Sequence, residues 1–192
     1  MTGMSTKVTL GEKVWFPPKG SVQMTRYGNP WTYVFRDVLY EAENISEALQ
    51  ILATTHRTCA IHIGLGSKED RSFRMLEYAE KVVNVYDDKN YTHYGAAHPK
   101  AEGIAYFDKN VQPSNDKTVG ELLTSTQFYG KWTLDNLWRT IGVTHETGDT
   151  KLVVFNLEDQ EVYVSYSEYN GTKKAFERKP IYLDMKKLFA PF

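Results

Sequence analysis

The sequence contains a single cysteine, Cys59, among its 192 residues. One cysteine forms no intrachain disulfide, and it cannot make a zinc site by itself. Long hydrophobic runs are lacking too, since no segment approaches the roughly 18 apolar residues of a membrane span. The formal net charge is only −1, so no basic surplus is available to bind nucleic acid. We therefore expect neither a nucleic-acid partner nor a membrane span.

The motifs of nucleotide and metal chemistry are also missing. Residues 64–70, GLGSKED, contain glycines without the spacing of a phosphate loop, and no Ser-His-Asp signature occurs. His93 and His98 lie five residues apart without a clear third ligand, so the pair is more simply a polar loop than a metal site. Asp87 and Asp88 are most simply a turn. We predict no cofactor and no metal.

What the sequence does contain is typical of a globular domain rich in sheet. Hydrophobic residues make up 41% and aromatic residues 14% of the chain, which suffices for a sizeable core. Residues 6–16 predict two strands separated by Gly11. Residues 31–56 have helical periodicity, and Asn44 with Glu47 three residues later predicts a capping box, which divides the stretch into two helices. Three further strands are predicted after these helices, as an antiparallel meander.

The second half continues with a loop region, a second helical block and a strand hairpin. Residues 87–115 read as a long loop region, a kind that often borders a site. Ser114 or Asp116 is predicted to cap a helix, and Thr133 a second one. A hairpin of two strands follows, and the aromatic tail 174–192 docks on the body or contacts a missing partner chain, the former being the simpler expectation. Segregated strands and helices predict an α+β fold with largely antiparallel sheets and two helical hairpins, in one domain over 1–192.

The stretch 56–66, HRTCAIHIGLG, contains the side chains that are chemically most reactive, namely those of Cys59, His56 and His62. A cysteine near a histidine suggests a nucleophile and its base. Strand alternation, however, places Cys59 with Ile61 and Ile63 on one face and His62 with Gly64 on the other. The simplest interpretation makes Cys59 a small buried apolar residue. His62 is either a hydrogen-bonded core or interface histidine, or a polar group beside a site, because small residues on its face let a ligand approach closely.

Four stretches together resemble one known family. They cover residues 3 to 168 broadly and are GMST, FRDVLYEAENISEALQILATTHRT, TCAIHIGLGSKEDRSFRMLEY and GKWTLDNLWRTIGVTHETGDTKLVVFNLEDQEVYVSYS. The family is that of the acyl-coenzyme A:isopenicillin N acyltransferase-like proteins, relatives of acid ceramidase and choloylglycine hydrolase. The chain resembles the later, C-terminal part of such an N-terminal-nucleophile hydrolase.

The resemblance implies a layered αββα sandwich that cleaves or transfers an acyl group at an amide bond. An N-terminal cysteine of a self-processed chain attacks the carbonyl, its own α-amine serves as base, and backbone and Asn donors hold the oxyanion. His62 occupies the position of that Asn, so the resemblance makes His62 a candidate for the oxyanion slot. A histidine donates one hydrogen bond in place of the Asn amide, with a different reach.

This sequence departs from the family by lacking the N-terminal cysteine and the strands that carry it. Thr2 would follow an initiator methionine and has a hydroxyl, but the match places it downstream of the nucleophile. We therefore expect an incomplete sandwich that is completed by a missing N-terminal segment or partner chain. Its substrate would be a small acyl amide. The chain alone should self-associate through uncovered sheet surface. The alternative is a non-catalytic, truncated or degenerate homologue acting as a structural or binding module.

Residues near the N-terminus lack a signal-peptide core, which favours the cytoplasm for the chain as it stands; an upstream segment would allow a secreted or lysosomal location.

Overall fold

The computed structural model describes residues 2–90, 98–112 and 114–190. They form two compact units, Met1–Asp116 and Lys117–Phe192. Each unit combines helices with one antiparallel sheet, which confirms the α+β class. Within the described ranges, no helix is both long enough and apolar enough to cross a bilayer. The prediction of a single domain over 1–192 stays a prediction.

The first unit is built on a five-stranded antiparallel sheet in sequential order. Its strands are β1 (Gly3–Met4), β2 (Val8–Val14), β3 (Ile61–Ser67), β4 (Ser72–Ala79) and β5 (Val82–Tyr86). The predicted meander of three strands is confirmed as β3, β4 and β5. The predicted break at Gly11 is wrong, because Gly11 lies inside β2 directly opposite Gly64. Gly11 continues the strand because residues on both sides of it pair with β3.

A helical hairpin covers one face of this sheet, as predicted. Helix α1 spans Trp31–Glu41 and α2 spans Ile45–Thr54. The side chain of Asn44 accepts a hydrogen bond from Glu47 N at 3.0 Å, and the Glu47 carboxylate accepts one from Glu43 N. The distant Asp70 carboxylate accepts from Ile45 N at 2.7 Å, so local and tertiary bonds together satisfy the α2 N-terminus. The core between hairpin and sheet consists of buried side chains, chiefly Val8, Leu10, Val34, Phe35, Val38, Leu52, Ile61, Ile63, Leu65, Leu76 and Tyr78.

Arg57 joins the end of α2 to the sheet. Its Nη1 donates to Ala53 O at 2.6 Å, and its Nε donates to Ala79 O at 2.8 Å. The guanidinium also lies over the Tyr78 ring, 5.7 Å from the centroid. One side chain thereby satisfies orphan carbonyls at a helix C-terminus and at the end of β4.

The second unit packs shorter helices on a three-stranded sheet. Helix α3 spans Thr118–Thr124, and α4 spans Leu134–Leu137 and continues as a π-helical segment over Trp138–Thr144. Thr133 caps α4 as predicted, in a capping box with Asn136. The cap predicted for the preceding helix is wrong, because Lys117 occupies the α3 N-cap without a side-chain bond.

Strands β6 (Lys151–Asn156) and β7 (Glu161–Tyr166) form the predicted hairpin, and β8 (Ile181–Asp184) adds a third antiparallel strand from the tail. The short helix α5 (Met185–Leu188) follows. Ala175 anchors the tail, since its N donates to Asp149 O at 2.9 Å and its O accepts from Ser165 Oγ at 2.6 Å. Residues 174–190 thus dock on their own unit, while Phe192 lies outside the described residues.

Candidate functional site

The face of the first sheet opposite the helical hairpin carries a row of polar side chains. The alternation predicted for 59–66 is confirmed, because Ile61 and Ile63 lie in the helix-side core and His62 lies between them in sequence on the other face. Across the ladder, His62 faces Lys13 on β2 and Glu77 on β4. Asn84 on β5 lies next to Glu77 in the same line. We call Lys13, His62, Glu77 and Asn84 the polar row.

His62 lies in a stack of three aromatic rings. Its ring centroid is 4.1 Å from that of Phe107 and 5.3 Å from that of Trp15, with both pairs nearly parallel. The residue is only 1% exposed. Within the described ranges, neither ring nitrogen has a hydrogen-bond partner.

Burial decides the charge of this imidazole. It lowers the pKa of His62 to about 4, and Lys13 lowers it further, while Glu77 acts in the opposite direction without offsetting the burial. His62 is therefore neutral at pH 7, with one nitrogen that donates and one that accepts. A neutral imidazole in a dry environment is suited to donate a hydrogen bond to a developing negative charge.

Glu77 is held by its neighbours on β5. Its Oε2 accepts hydrogen bonds from Asn84 Nδ2 and from the Tyr86 hydroxyl, both at 2.9 Å. Burial, and next the nearby Glu77 charge, raise the pKa of Tyr86 well above its usual value, so this hydroxyl stays protonated and donates. The carboxylate end of the polar row is thus fixed in position.

Small residues form the floor beside the polar row. Gly11 and Gly64 lie opposite each other across β2 and β3, two residues from Lys13 and His62. Among the residues that the structure describes, a Cβ built on Gly11 would meet no atom within 4 Å, and one on Gly64 would meet only the Met75 sulfur at 3.9 Å. Within that part of the chain, open space lies over this floor. Met75, Tyr86, Ala105 and Phe107 pack together at its side.

Asp108 is the centre of a buried cluster next to the stack. Its carboxylate accepts hydrogen bonds from His98 Nε2 at 3.1 Å, Gln112 Nε2 at 2.7 Å and Ser114 Oγ at 2.6 Å. Burial alone would raise the pKa of Asp108, but these three donors outweigh it and hold the pKa well below its usual range. The Asp108 backbone O also accepts from Lys13 Nζ at 2.6 Å. We call Asp108 and the three donors to its carboxylate, His98, Gln112 and Ser114, the Asp108 cluster.

The remaining candidates from the sequence lie elsewhere. Cys59 is half-buried against the helix-side core, so it does not share a face with His62. Thr2 precedes the edge strand β1, and β2 lies between β1 and β3. Asp87 accepts hydrogen bonds from Lys89 N and Asn90 N in a turn, as predicted.

Of the two loop histidines, the structure describes only His98, so the interpretation of the pair as a polar loop stays a prediction. His98 belongs to the Asp108 cluster, and His93 lies outside the described residues. Among the described residues, no group of three His, Cys, Asp or Glu side chains is placed to hold a metal ion.

Several members of the site had no signal in the sequence that we used. Lys13 and Glu77 follow from the ladder register, which could have been derived once Gly11 was recognised as lying within one strand. Phe107 and Asp108 come from the region read only as a long loop. Their positions depend on tertiary contacts that no local pattern encodes.

Two proteins of Dictyostelium discoideum are similar to this chain. It is 31% identical to protein dcd1A over 175 residues, which is 89% of this chain and 38% of dcd1A. It is 34% identical to protein dcd1B over 174 residues, which is 88% of this chain and 34% of dcd1B. The chain thus spans little more than a third of the curated relatives that it matches. No protein-family model and no solved structure matches it.

Proposed function

We propose that this chain is part of an amide-bond hydrolase or acyltransferase of the N-terminal-nucleophile type, and that the nucleophile comes from residues outside it. The observation that carries the proposal is His62, a neutral buried imidazole at the middle of a polar row, beside a glycine floor with open space. The glycine floor lets a ligand carbonyl approach the strand closely, and once the Phe107 ring moves off His62 the imidazole N–H would stabilise the oxyanion formed on attack.

The faces of the second sheet support an αββα layering. One face packs on the helices through Leu152, Val154 and Tyr163. The ladder register places only apolar residues over most of the other face, namely Val153, Phe155, Val162, Val164, Ile181 and Leu183. A sheet with helices on one face and apolar side chains on the other is typical of an inner layer, since both faces must be covered.

The length of the relatives supports a missing part. More than half of dcd1A and of dcd1B lies outside the match, and a nucleophile with its strands could lie there. Cys59, the one thiol of this chain, lies against the opposite core. The substrate class that we expect is a small acyl amide, whose carbonyl would accept the hydrogen bond of the neutral imidazole.

The proposal is tested by supplying the missing part. This chain is refolded alone, and with the portion of dcd1A outside the matched residues, and each sample is assayed on a panel of N-acyl amides. We expect turnover only in the combined sample. His62→Ala should lower kcat by about a hundredfold or more, as for loss of an oxyanion donor, whereas His62→Asn should retain activity and Cys59→Ala should leave it unchanged.

Two outcomes would contradict the proposal. Turnover by this chain alone that Cys59→Ala abolishes would make Cys59 the nucleophile. An active combined sample that His62→Ala does not slow would remove His62 from the reaction.

A second candidate function is a non-catalytic structural or binding module. The observation that favours it is the covering of His62 by the Phe107 ring, which leaves no approach to the imidazole in this conformation. A combined sample that forms a stable complex by sedimentation but turns over none of the amides would support this alternative.

A further inference from the structure

Residues 98–112 lie over the polar row, and we call them the cover segment. They contain no helix or strand, only an isolated bridge between Ala101 and Ile104. Phe107 is the residue of this segment that stacks on His62. It is itself only 8% exposed, so His62 and Phe107 shield each other from water.

Polar anchors hold the cover segment on the sheet. Lys13 Nζ donates to Asp108 O, and Phe16 N donates to Asn110 O at 2.7 Å. Asp88 Oδ2 accepts from Gly103 N at 2.6 Å. The Asp108 cluster joins the two ends of the segment through His98 and Gln112. These anchors are separate from the helix-side core, so releasing them leaves that core intact.

The covered state leaves polar atoms without compensation. Both His62 nitrogens and Trp15 Nε1 are buried and lack a hydrogen-bond partner within the described ranges. Such groups lose their bonds to water and gain nothing in return. The two residues belong to one stack, and the cover segment supplies the ring on its other side. Three uncompensated atoms therefore lie in one stack, beneath one removable side chain.

We propose that the cover segment opens locally, and that the Phe107 ring occupies the place where a flat apolar group of a ligand lies against His62. In the open state the His62 nitrogens reach water or a ligand acceptor, and the stack keeps Trp15 as its lower ring. The open space over Gly11 and Gly64 lets the ligand extend along the strand. Phe107 is thus a gate and a specificity-determining residue. The inference goes beyond the proposed function, because opening occurs whether or not the site catalyses a reaction.

Acylation of histidine by diethyl pyrocarbonate tests the gate. The unprotonated imidazole nitrogen attacks a carbonyl carbon of the reagent and displaces ethyl carbonate, so the neutral state of His62 does not protect it and only covering does. Peptide mapping by mass spectrometry follows His62 against the exposed His56 and the buried His98 in the same intact chain. In the native protein we expect His62 to react about a hundredfold more slowly than His56.

The denaturant dependence distinguishes local opening from unfolding. A local opening exposes little surface, so the His62 rate should rise less steeply with urea than the rate set by global unfolding. A His62 rate that follows the global unfolding equilibrium at every urea concentration would overturn the proposal, because the cover would then open only when the unit unfolds.

Three variants complete the test. Phe107→Ala should raise the His62 rate about tenfold. Gln112→Ala removes a donor to Asp108 and should raise it by a smaller factor. The matched control Phe128→Ala removes a ring that stacks on Trp132 in the second unit, and should leave the rate unchanged.

If Phe107→Ala fails to fold by circular dichroism, Phe107→Leu replaces it, because it keeps the apolar volume without a flat ring. Folded Phe107 variants with the native His62 rate would show that Phe107 is not the gate.

Discussion

At the scale of single residues, His62 combines three properties that oppose one another. It is polar, it is almost completely buried, and its neighbours on either side are aromatic rings. The sequence predicted its face, because strand alternation is local. It did not predict the Phe107 ring above it, since that contact joins residues 45 positions apart through a segment without regular structure.

The lowered pKa of His62 predicts a specific loss of stability in acid. The pKa is about 4 in the folded chain against 6.5 for the ordinary group, so the unfolded state binds more protons between these values. The free energy of unfolding therefore falls as the pH drops from about 6.5 to about 4, by on the order of 3 kcal/mol for this group. His62→Phe should remove this part of the pH dependence and preserve or raise stability at pH 7, because it removes an unpaired polar group.

Urea unfolding at pH 7, 5.5 and 4.5 measures this effect. The exposed position His56 offers the control, and His56→Phe should keep the wild-type slope. Loss of the slope in the control, or its persistence in His62→Phe, would assign the acid sensitivity to another group. The Asp108 cluster loses its contribution at lower pH, since the pKa of that carboxyl lies below its usual range.

At the scale of elements, the sequence predicted what local chemistry decides. The turn between α1 and α2 follows from Asn44 and its bond with Glu47 N, and the cap at Thr133 follows from the same rule. Apart from the α3 cap, the differences arose where a partner distant in sequence decides the structure. Gly11 continues β2 because residues on both sides of it pair with β3, and β8 forms because β7 has an edge to pair with.

Arg57 is the residue that we expect to contribute most to stability by joining two elements, the end of α2 and the end of β4. Arg57→Met keeps the aliphatic length but leaves Ala79 O, at a fully buried residue, and Ala53 O without their donor. We expect a loss of about 2 kcal/mol in the free energy of unfolding, since hydrogen bonds from charged groups contribute in this range. Arg36→Met is the matched control, because its guanidinium pairs with Asp37 at an exposed position and should change stability by less than about 1 kcal/mol. Equal effects of the two substitutions in urea unfolding would contradict this role.

At the scale of the whole molecule, the edge strand of the second sheet predicts association. Ile181 lies on this strand, β8, and is 61% exposed, whereas Val162 on the same face of the sheet is only 4% exposed. An exposed apolar edge is a template for pairing with another chain. We expect self-association that depends on concentration in sedimentation velocity, and Ile181→Lys should weaken it by placing a charge on both the face and the edge.

Tyr169→Lys controls for the added charge, because Tyr169 is fully exposed in a turn of the same unit. It should leave the association unchanged. A protein that stays monomeric at every concentration would contradict the expectation of uncovered sheet surface.

The pairing of β2 with β3 also has a consequence for how the chain folds. Val8 lies opposite Ser67 and Val14 opposite Ile61, so this ladder closes a loop that contains the whole helical hairpin. The β3–β5 meander closes through short turns and pays little loop entropy. We therefore expect the meander and hairpin to assemble early and β2 to join late. The last strand to arrive would then be the one that brings Lys13 and Gly11 to His62, so the site would be the final part of its unit to form.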